Sequence, residues 1–288
     1  MVIEFGILAA FAAMLLWGFS DFMIQKSTRK MGDFETLAFM SIVGSALLAP
    51  FALADISAAL LPGNLLLLLL LSCVGFVGWS LDYDALKRGK LSVVEVIIEI
   101  ELPITVGLGI VFFGESLGLL QWALMGSAFI GIILIALRSL PAKRAIRLEK
   151  GAIIAFAVAA GSAGVSFLTA SASRSISPFM ALWFPWVVVG LLSLAVVCKR
   201  DGIRKFARNV SRFRRYAITA TAFDVSAWVL FAFALVGNKL AVTAAIVESY
   251  VAVAVLLGIF VNKERIRHYQ VIGAVIAVAA SVGLGFFG

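Results

Sequence analysis

Apolar stretches of about 20 residues recur along the whole chain, separated by short polar segments. A helix of about 20 residues rises far enough to cross a hydrocarbon core of about 30 Å. The alternation over about 10 residues that is typical of a transmembrane β-barrel is not present. The pattern therefore predicts an all-α polytopic membrane protein with ten transmembrane helices, at 4–26, 34–54, 64–86, 91–113, 119–138, 151–173, 178–198, 216–237, 240–262 and 268–287.

The spans form two series of five that resemble each other. Residues 85–115 align without a gap on residues 234–264. Five is an odd number, so the second series enters the membrane in the opposite sense, as in many secondary transporters. We therefore predict one membrane domain of two inverted five-helix repeats, residues 1–140 and 147–288. The most informative identical pairs are Lys90/Lys239, Glu99/Glu248, Glu115/Glu264, Trp79/Trp228 and Gln121/Gln270.

Composition and charge support this membrane interpretation. Of the 288 residues, 62% are hydrophobic and only 14% are charged. All 24 Lys and Arg residues except Arg174 and Lys239 fall between spans, or at the ends of spans, on one side. Because basic loops remain cytoplasmic, we expect a multi-pass protein of the cell (inner) membrane with both termini outside. The longest basic segment, 199–216, is interpreted as a solvated cytoplasmic loop, and no nucleic-acid partner is expected despite the net charge of +8.

Three glutamates, Glu95, Glu99 and Glu101, interrupt the otherwise apolar stretch 92–103. Acids inside a span are costly, and they are functional candidates for that reason. At about 1.5 Å per residue, Glu99 lies about 12 Å inside its span, and Glu248 lies equally deep from the opposite surface. This pair brackets the membrane midplane, where inverted-repeat transporters hold their substrates.

Glu99 and Glu248 are therefore expected to bind substrate or protons. Burial favours the neutral form of a carboxyl group, and a cationic substrate can compete with the proton for the same carboxylate. The alternative is a structural acid that is hydrogen-bonded between helices. Glu95 shares a helix face with Glu99 and could instead reach Lys90 near the interface, whereas Glu101 points elsewhere.

Aromatic side chains and one more acid complete the predicted site. Asp224 lies about 12 Å into the eighth span, one turn before Trp228. Trp79 and Tyr83 share a helix face, and an aromatic face stabilises a nearby cation by roughly 0.5–2 kcal/mol. Interface or packing roles are the alternatives for these side chains. The predicted substrate- or proton-binding residues are Glu99, Glu248, Glu95, Glu101, Asp224, Trp79, Tyr83, Trp228, Trp17 and Tyr250, the last of which is expected to point away from Glu248.

Other polar and aromatic residues receive a structural interpretation. Asp82 and Asp84 lie near Lys87 and Arg88, so we expect interfacial contacts for them, whereas Asp21 is expected either in an ion pair with Lys26 at the interface or in the site. Trp183 and Trp186 are interpreted as lipid-interface anchors.

A stripe of hydroxyl side chains in the sixth span is expected to serve close helix packing, with a cavity wall as the alternative. The two acids that follow the fourth and ninth spans, Glu115 and Glu264, are expected in turns or helix caps. The stripe consists of Ser162, Ser166, Thr169 and Ser173.

Several features together resemble a known family. The segment LLWGFSDFMIQK (15–26) lies in the first span, and each fourth span ends in a short acidic turn, FFGE (112–115) and VNKE (261–264). With the five-plus-five spans, these features resemble the EamA-type transporters of the drug/metabolite transporter superfamily. The resemblance implies a ten-helix bundle with alternating access and a cavity lined mainly by helices 1, 3, 4, 6, 8 and 9. It leaves the substrate open, because members move amino acids, sugars, nucleotide sugars, cations and drugs.

The function expected is proton-coupled transport or export of a small polar metabolite with a cationic or amino group. Embedded acids favour a positive substrate, and the span centres lack the Lys or Arg that an anion would require. An amino-acid or drug exporter whose acids only handle protons and an uncoupled facilitator are the alternatives. No enzyme motif is found, and the single His268 excludes a multi-histidine metal site. We expect no cofactor, and the expected partners are substrate, protons and the lipid bilayer, with the protein a monomer or homodimer.

Overall fold

The computed structural model describes residues 5–88, 98, 101–136, 149–250, 252–253 and 268–287. This part of the chain consists of helices and the turns between them. A 3₁₀ turn at Leu53–Asp55 and one helical turn at Ile56–Ala59 follow the second helix. The main helices are α1 (Phe5–Met31), α2 (Asp33–Ala52), α3 (Pro62–Arg88), α4 (Glu101–Phe113), α5 (Leu119–Ala136), α6 (Glu149–Ser175), α7 (Pro178–Arg200), α8 (Ile203–Gly237), α9 (Leu240–Val247) and α10 (His268–Phe287).

The described residues include five helical segments that are long and apolar enough to cross a membrane. Shorter apolar helices lie in α4, α5 and α10. A multi-pass helical membrane protein is therefore confirmed. The five long segments are Phe5–Met31, Asp33–Ala59, Pro62–Arg88, Pro178–Arg200 and Ile203–Gly237.

Local sequence explains where several helices begin. Ser177 caps α7, since its side-chain oxygen accepts a hydrogen bond of 3.2 Å from the Met180 N–H, and Pro178 occupies the first helical position. Gly32, with φ +121°, joins α1 to α2, and Gly202, with φ +79°, precedes α8. Glycine adopts these φ values without the steric cost that other residues incur.

The basic segment 199–216 is helical on both sides of a turn at residues 201–202, whereas a loop was predicted. α7 continues to Arg200, and α8 begins at Ile203. The expectation was wrong because Lys and Arg are good helix formers, so a helix can continue where a hydrophobic span ends. In the turn between the helices Asp201 forms an ion pair with Lys205, and the hydrogen bond from Lys205 lowers the pKa of Asp201.

The helices pair across the two halves of the chain. α1 packs on α8, α3 on α6, α2 on α7, α5 on α10 and α4 on α9. Replacing each helix by its equivalent in the other half reproduces the same set of pairs. This pattern is what two related halves around a common axis would give.

The pair α2–α7 joins two helices that are equivalent in the repeat, and it is antiparallel. Phe51 near the end of α2 stacks on Phe179 at the start of α7, with ring centroids 5.0 Å apart. About two helical turns before Phe51, Gly44 faces Trp186. A Cβ added to Gly44 would lie 2.8 Å from the indole ring. As residue numbers fall along α2, they rise along α7.

The pair α5–α10 is also antiparallel and joins equivalent helices. Gln121 at the start of α5 donates a hydrogen bond of 3.1 Å to the carbonyl oxygen of Phe287 at the end of α10. Further along, a Cβ at Gly131 would lie 2.7 Å from the backbone nitrogen of Ala277. Small residues thus allow these two backbones to approach closely.

Candidate functional site

A cavity of about 120 Å³ lies between the two halves of the molecule. α1, α3, α4, α6 and α8 line it together with residues of the ninth span, as the family resemblance implied, and α2 and α7 contribute as well. Within the described part of the chain, no Lys, Arg or His side chain lines the cavity. The described residues contribute five carboxyl groups to it, those of Asp21, Asp82, Glu101, Asp224 and Glu248.

The cavity brings together all predicted site residues that the structure describes. Two further predicted residues, Glu95 and Glu99, lie outside the described residues. The shared location is a geometric finding, and the binding roles stay predictions. The residues that meet are Trp17, Trp79, Tyr83, Glu101, Asp224, Trp228, Glu248 and Tyr250.

Three tryptophans form one wall of the cavity. Trp228 meets Trp17 edge-on with ring centroids 4.9 Å apart, and it meets Trp79 edge-on at 5.7 Å. Asp224, one turn before Trp228 on α8, accepts hydrogen bonds from the indole groups of Trp17 and Trp228. The Asp224 carboxyl therefore fixes the orientation of two rings of the wall.

Glu101 binds the hydroxyl stripe of α6. It is 6% exposed, and Ser166 donates a hydrogen bond of 2.9 Å to its Oε1. Ser162 and Ser166 line the cavity, as the alternative interpretation of the stripe has it, and the Ser166 hydrogen bond also joins α6 to α4. Thr169 and Ser173 are buried, in agreement with packing. The first two hydroxyl residues of the stripe thus lie at the cavity, and the last two lie in the core of the bundle.

The aspartates near the basic end of the molecule were assigned only partly correctly. Asp84 forms the expected exposed ion pair with Arg88, at 2.7 Å. Asp21 and Asp82 line the cavity, so the interfacial prediction was wrong for Asp82, and the position of Asp21 agrees with the site alternative. Residues two apart on a helix point about 200° apart, which is why Asp82 and Asp84 have different surroundings.

Trp186 was also assigned to the wrong environment. It was predicted to be a lipid-interface anchor, but it is only 5% exposed and lines the cavity. Its ring fits against Gly44, where the absence of a side chain makes room for it. A tryptophan in an apolar helix is ambiguous from sequence, because only the partner helix decides its surroundings.

The ninth span is interrupted at Glu248, although 240–262 was predicted as one helix. α9 ends at Val247, Glu248 and Ser249 form a turn, and the helix resumes at Tyr250. The turn lies between Val247 and Tyr250, and Glu248 and Tyr250 both line the cavity. The prediction that these two side chains point in different directions stays a prediction.

Hydrogen bonds explain the interruption. The Ser249 N–H donates to the carbonyl oxygen of Ile246 at 3.3 Å, one residue short of the usual helical partner. The Ser249 hydroxyl donates to that partner, the carbonyl oxygen of Ala245, at 3.2 Å. The Ser249 hydroxyl is also hydrogen-bonded to Ser281 on α10. No Gly or Pro lies in this turn, so the sequence carries no conventional signal for it.

Glu115 caps α9, as predicted for this turn residue. Its two carboxylate oxygens accept hydrogen bonds from the N–H groups of Leu240, at 2.6 Å, and Ala241, at 3.0 Å. Arg174 contacts the same carboxylate at 3.4 Å. The cap fixes the start of the helix that carries Glu248 into the cavity. The equivalent Glu264 lies outside the described residues.

Buried apolar side chains adjoin the cavity, and two of them, Ile24 and Leu37, also line it. A separate polar space of about 400 Å³ is lined by residues of α1, α2, α3, α7 and α8, and Lys87 forms an ion pair of 2.7 Å with Asp33 there. The apolar cluster includes Ile24, Leu37, Leu86, Val189 and Ala220.

Comparisons with known proteins agree with the fold. The model of the EamA-like transporter family matches the chain twice, at residues 4–137 and 149–286. A search of curated proteins found no match. A solved structure described as "Crystal structure of protein" is similar, with a TM-score of 0.75, 14% identity, and coverage of 98% of this chain and 96% of that chain. At this identity the similarity concerns the fold alone.

Proposed function

The chain belongs to the EamA-like transporter family, and from this premise we propose that it exports a small polar metabolite with a cationic or amino group. Transport is secondary-active and exchanges the cation for protons. The family consists of membrane transporters, so the premise concerns the class of function. The substrate class and the coupling are inferred from the cavity.

The observation that carries the proposal is the charge of the cavity. Five carboxyl groups line it, and no basic side chain does so among the described residues. A cation about 4 Å from one carboxylate gains about 4 kcal/mol at an effective dielectric constant of about 20. The tryptophan wall adds roughly 0.5–2 kcal/mol for a cation over a ring face. An anion would be repelled by the same groups.

Protons and the substrate compete for the same carboxyl groups. A protonated carboxyl attracts a cation less than a carboxylate does, so proton binding on the more acidic side releases the substrate there. Deprotonation on the other side prepares the site for the next cation. Because the two ions exclude each other, the cycle exchanges one for the other.

Inverted repeats give the transporter two access states. We infer ten spans in two repeats, 1–140 and 147–288. Support comes from two pairs of packed helices, α2 with α7 and α5 with α10. In each pair the helices are equivalent in the repeat and run antiparallel. Rocking of one half against the other opens the central cavity to each side in turn.

The interrupted ninth span supports a binding role for Glu248. Discontinuous helices in transporters expose backbone groups and helix ends at the substrate site. Glu248 lies in such an interruption and is only 8% exposed. The repeat assigns the same role to Glu99 by its alignment with Glu248.

Transport by the purified protein in proteoliposomes tests the proposal. The assay offers primary ammonium and guanidinium ions, together with neutral alcohols and carboxylates of similar shape, under an imposed pH gradient. We expect accumulation of one or more of the cations above the level in protein-free liposomes, and no transport of the carboxylates. Transport of a carboxylate in preference to the matching cation would overturn the substrate class. Cation flux that ignores the gradient would overturn the coupling.

A further inference from the structure

The five carboxyl groups of the cavity have different surroundings. Asp224 accepts hydrogen bonds from Trp17 and Trp228, and Glu101 accepts one from Ser166. These carboxylates serve the protein's own architecture, because their hydrogen bonds hold the tryptophan wall and join α4 to α6.

Asp82 differs from these two acids. Among the described residues, no side chain or backbone group donates a hydrogen bond to it or forms an ion pair with it. Asp21 and Glu248, by contrast, have interactions of their own. Asp82 is thus the cavity acid whose binding capacity the described protein leaves unused.

Asp82 also has a central position among the charged groups. It interacts electrostatically with Glu101, with Asp224 and with the Tyr83 hydroxyl. Negative potential from its neighbours therefore adds to its own, and a cation beside Asp82 is attracted by several carboxyl groups at once.

Aromatic side chains beside Asp82 indicate an organic cation rather than a metal ion. Trp79 precedes Asp82 by three residues on α3, so the two side chains lie on neighbouring parts of one helix face. Trp79 and Tyr83 both line the cavity. No group of three or more potential metal ligands was found among the described residues. An ammonium group can donate hydrogen bonds to a carboxylate while its alkyl part contacts the rings.

We propose that Asp82 binds the ammonium group of the substrate directly, whereas Asp224 and Glu101 hold the shape of the site. This inference rests on the proposed function, because it presupposes a cationic substrate. It assigns the anchoring role to an acid that the sequence pattern places at the membrane interface. Asp82 and the tryptophan wall together then select cations that carry a compact apolar group.

Binding measurements on matched variants test this role. The purified full-length chain is titrated with primary ammonium ions from methylammonium to phenethylammonium and with the alcohols of the same shape. Tryptophan fluorescence reports occupancy, since Trp17, Trp79 and Trp228 line the cavity. The variants are Asp82→Asn and, as a control on the same helix, Asp84→Asn.

We expect the wild type to bind ammonium ions and not the alcohols. Asp82→Asn should weaken ammonium binding about tenfold or more, as removal of one partner of a desolvated charge pair does. Asp84→Asn should bind like the wild type, because Asp84 contacts Arg88 outside the cavity. Equal ammonium affinity in Asp82→Asn and wild type would overturn the role of Asp82 and leave the proposed function standing. Absence of ammonium binding in the wild type would overturn both.

Chemical modification of the wild type keeps the test independent of mutant folding. A hydrophobic carbodiimide reacts with carboxyl groups inside membranes, and mass spectrometry of peptides identifies the modified residue. We expect ammonium ions, and not the matching alcohols, to protect Asp82. Labelling of Asp82 that saturating ammonium leaves unchanged would contradict the proposal even if Asp82→Asn failed to fold.

Discussion

In the proposed site, single side chains have to supply negative charge and a rigid aromatic wall at the same time. Trp228 illustrates how closely the demands are linked. It packs edge-on against Trp17 and Trp79 and donates a hydrogen bond to Asp224. Loss of its indole nitrogen would loosen the wall and leave the carboxylate short of a donor.

Trp228→Phe should therefore reduce both stability and transport. A hydrogen bond to a charged group contributes about 1.5–3 kcal/mol, and an aromatic pair contributes about 0.5–1.5 kcal/mol. We expect a lower midpoint of thermal unfolding in detergent and weaker cation uptake. Trp122→Phe is the control, because Trp122 is 48% exposed. Equal losses in both variants would show that the wall has no special role.

Glu248→Gln should abolish gradient-driven flux while the protein stays folded. Glutamine keeps the size of the side chain but can neither release a proton nor attract a cation as a carboxylate does. The same outcome is expected for Glu99→Gln from the repeat. Uptake under a pH gradient and size-exclusion chromatography measure flux and folding. Normal gradient-driven flux in both variants would remove the two glutamates from the site.

At this scale the sequence identified most of the site chemistry but left Asp21 open and misplaced Asp82. Glu101, Asp224 and Trp79 were recognised because they are polar or aromatic residues deep inside apolar spans. Asp21 was considered for an interfacial ion pair because Lys26 follows it closely, but the structure places it in the cavity lining. A neighbouring charge in the sequence does not show which way a helical side chain points.

Helices α5 and α10 show how a single methyl group can matter at the level of elements. Gly131 faces the backbone of α10, and an added Cβ would lie 2.7 Å from both Ala277 N and Gly273 O. Gly126, on the same helix, has nothing within 4 Å of an added Cβ. The two glycines therefore form a matched pair for substitution.

Gly131→Ala should destabilise the protein by about 1–3 kcal/mol, because the two backbones must separate to accept the methyl group. Gly126→Ala should be neutral or slightly stabilising, since alanine is the better helix former. Thermal unfolding in detergent compares the two variants with the wild type. A destabilisation that is as large in Gly126→Ala as in Gly131→Ala would contradict the close packing of α5 on α10.

The helices were predictable from the sequence where a long apolar stretch alone determines that a helix forms. The break at Glu248 was not, because it depends on a serine that pairs with Ser281 of another helix. The helical character of 199–216 was missed for a different reason, since a hydropathy pattern marks where the membrane ends and not where the helix ends. Glu115 was recognised as a turn residue, but its partners on α9 come from the other half of the chain.

For the whole molecule, the repeat in the sequence predicts related halves but not which helices meet. α1 packs on α8 and α3 on α6, so each half closes the cavity with helices of the other. The halves are therefore interlocked. The predicted sidedness of the loops rests on the distribution of Lys and Arg along the chain. Sidedness can be measured directly.

Cysteine labelling in intact cells tests the orientation. In a background with Cys73 and Cys198 replaced by serine, Lys30→Cys and Arg208→Cys should react with a membrane-impermeant maleimide only after permeabilisation. Leu61→Cys should react in intact cells, because it lies between α2 and α3 on the expected outer side. Labelling of Lys30→Cys and Leu61→Cys from the same side would contradict the predicted topology.

The most direct test of the account follows the pH inside proteoliposomes while a cation enters. A permanently charged guanidinium ion that the transport assay identifies as a substrate is added outside, with a pH-sensitive dye inside and no initial gradient. Protein-free liposomes and Glu248→Gln are the controls. If the protein exchanges the cation for protons, the lumen becomes alkaline as protons leave. This change is expected with the wild-type protein and not with either control. Entry of the cation with no change in lumenal pH would contradict proton coupling.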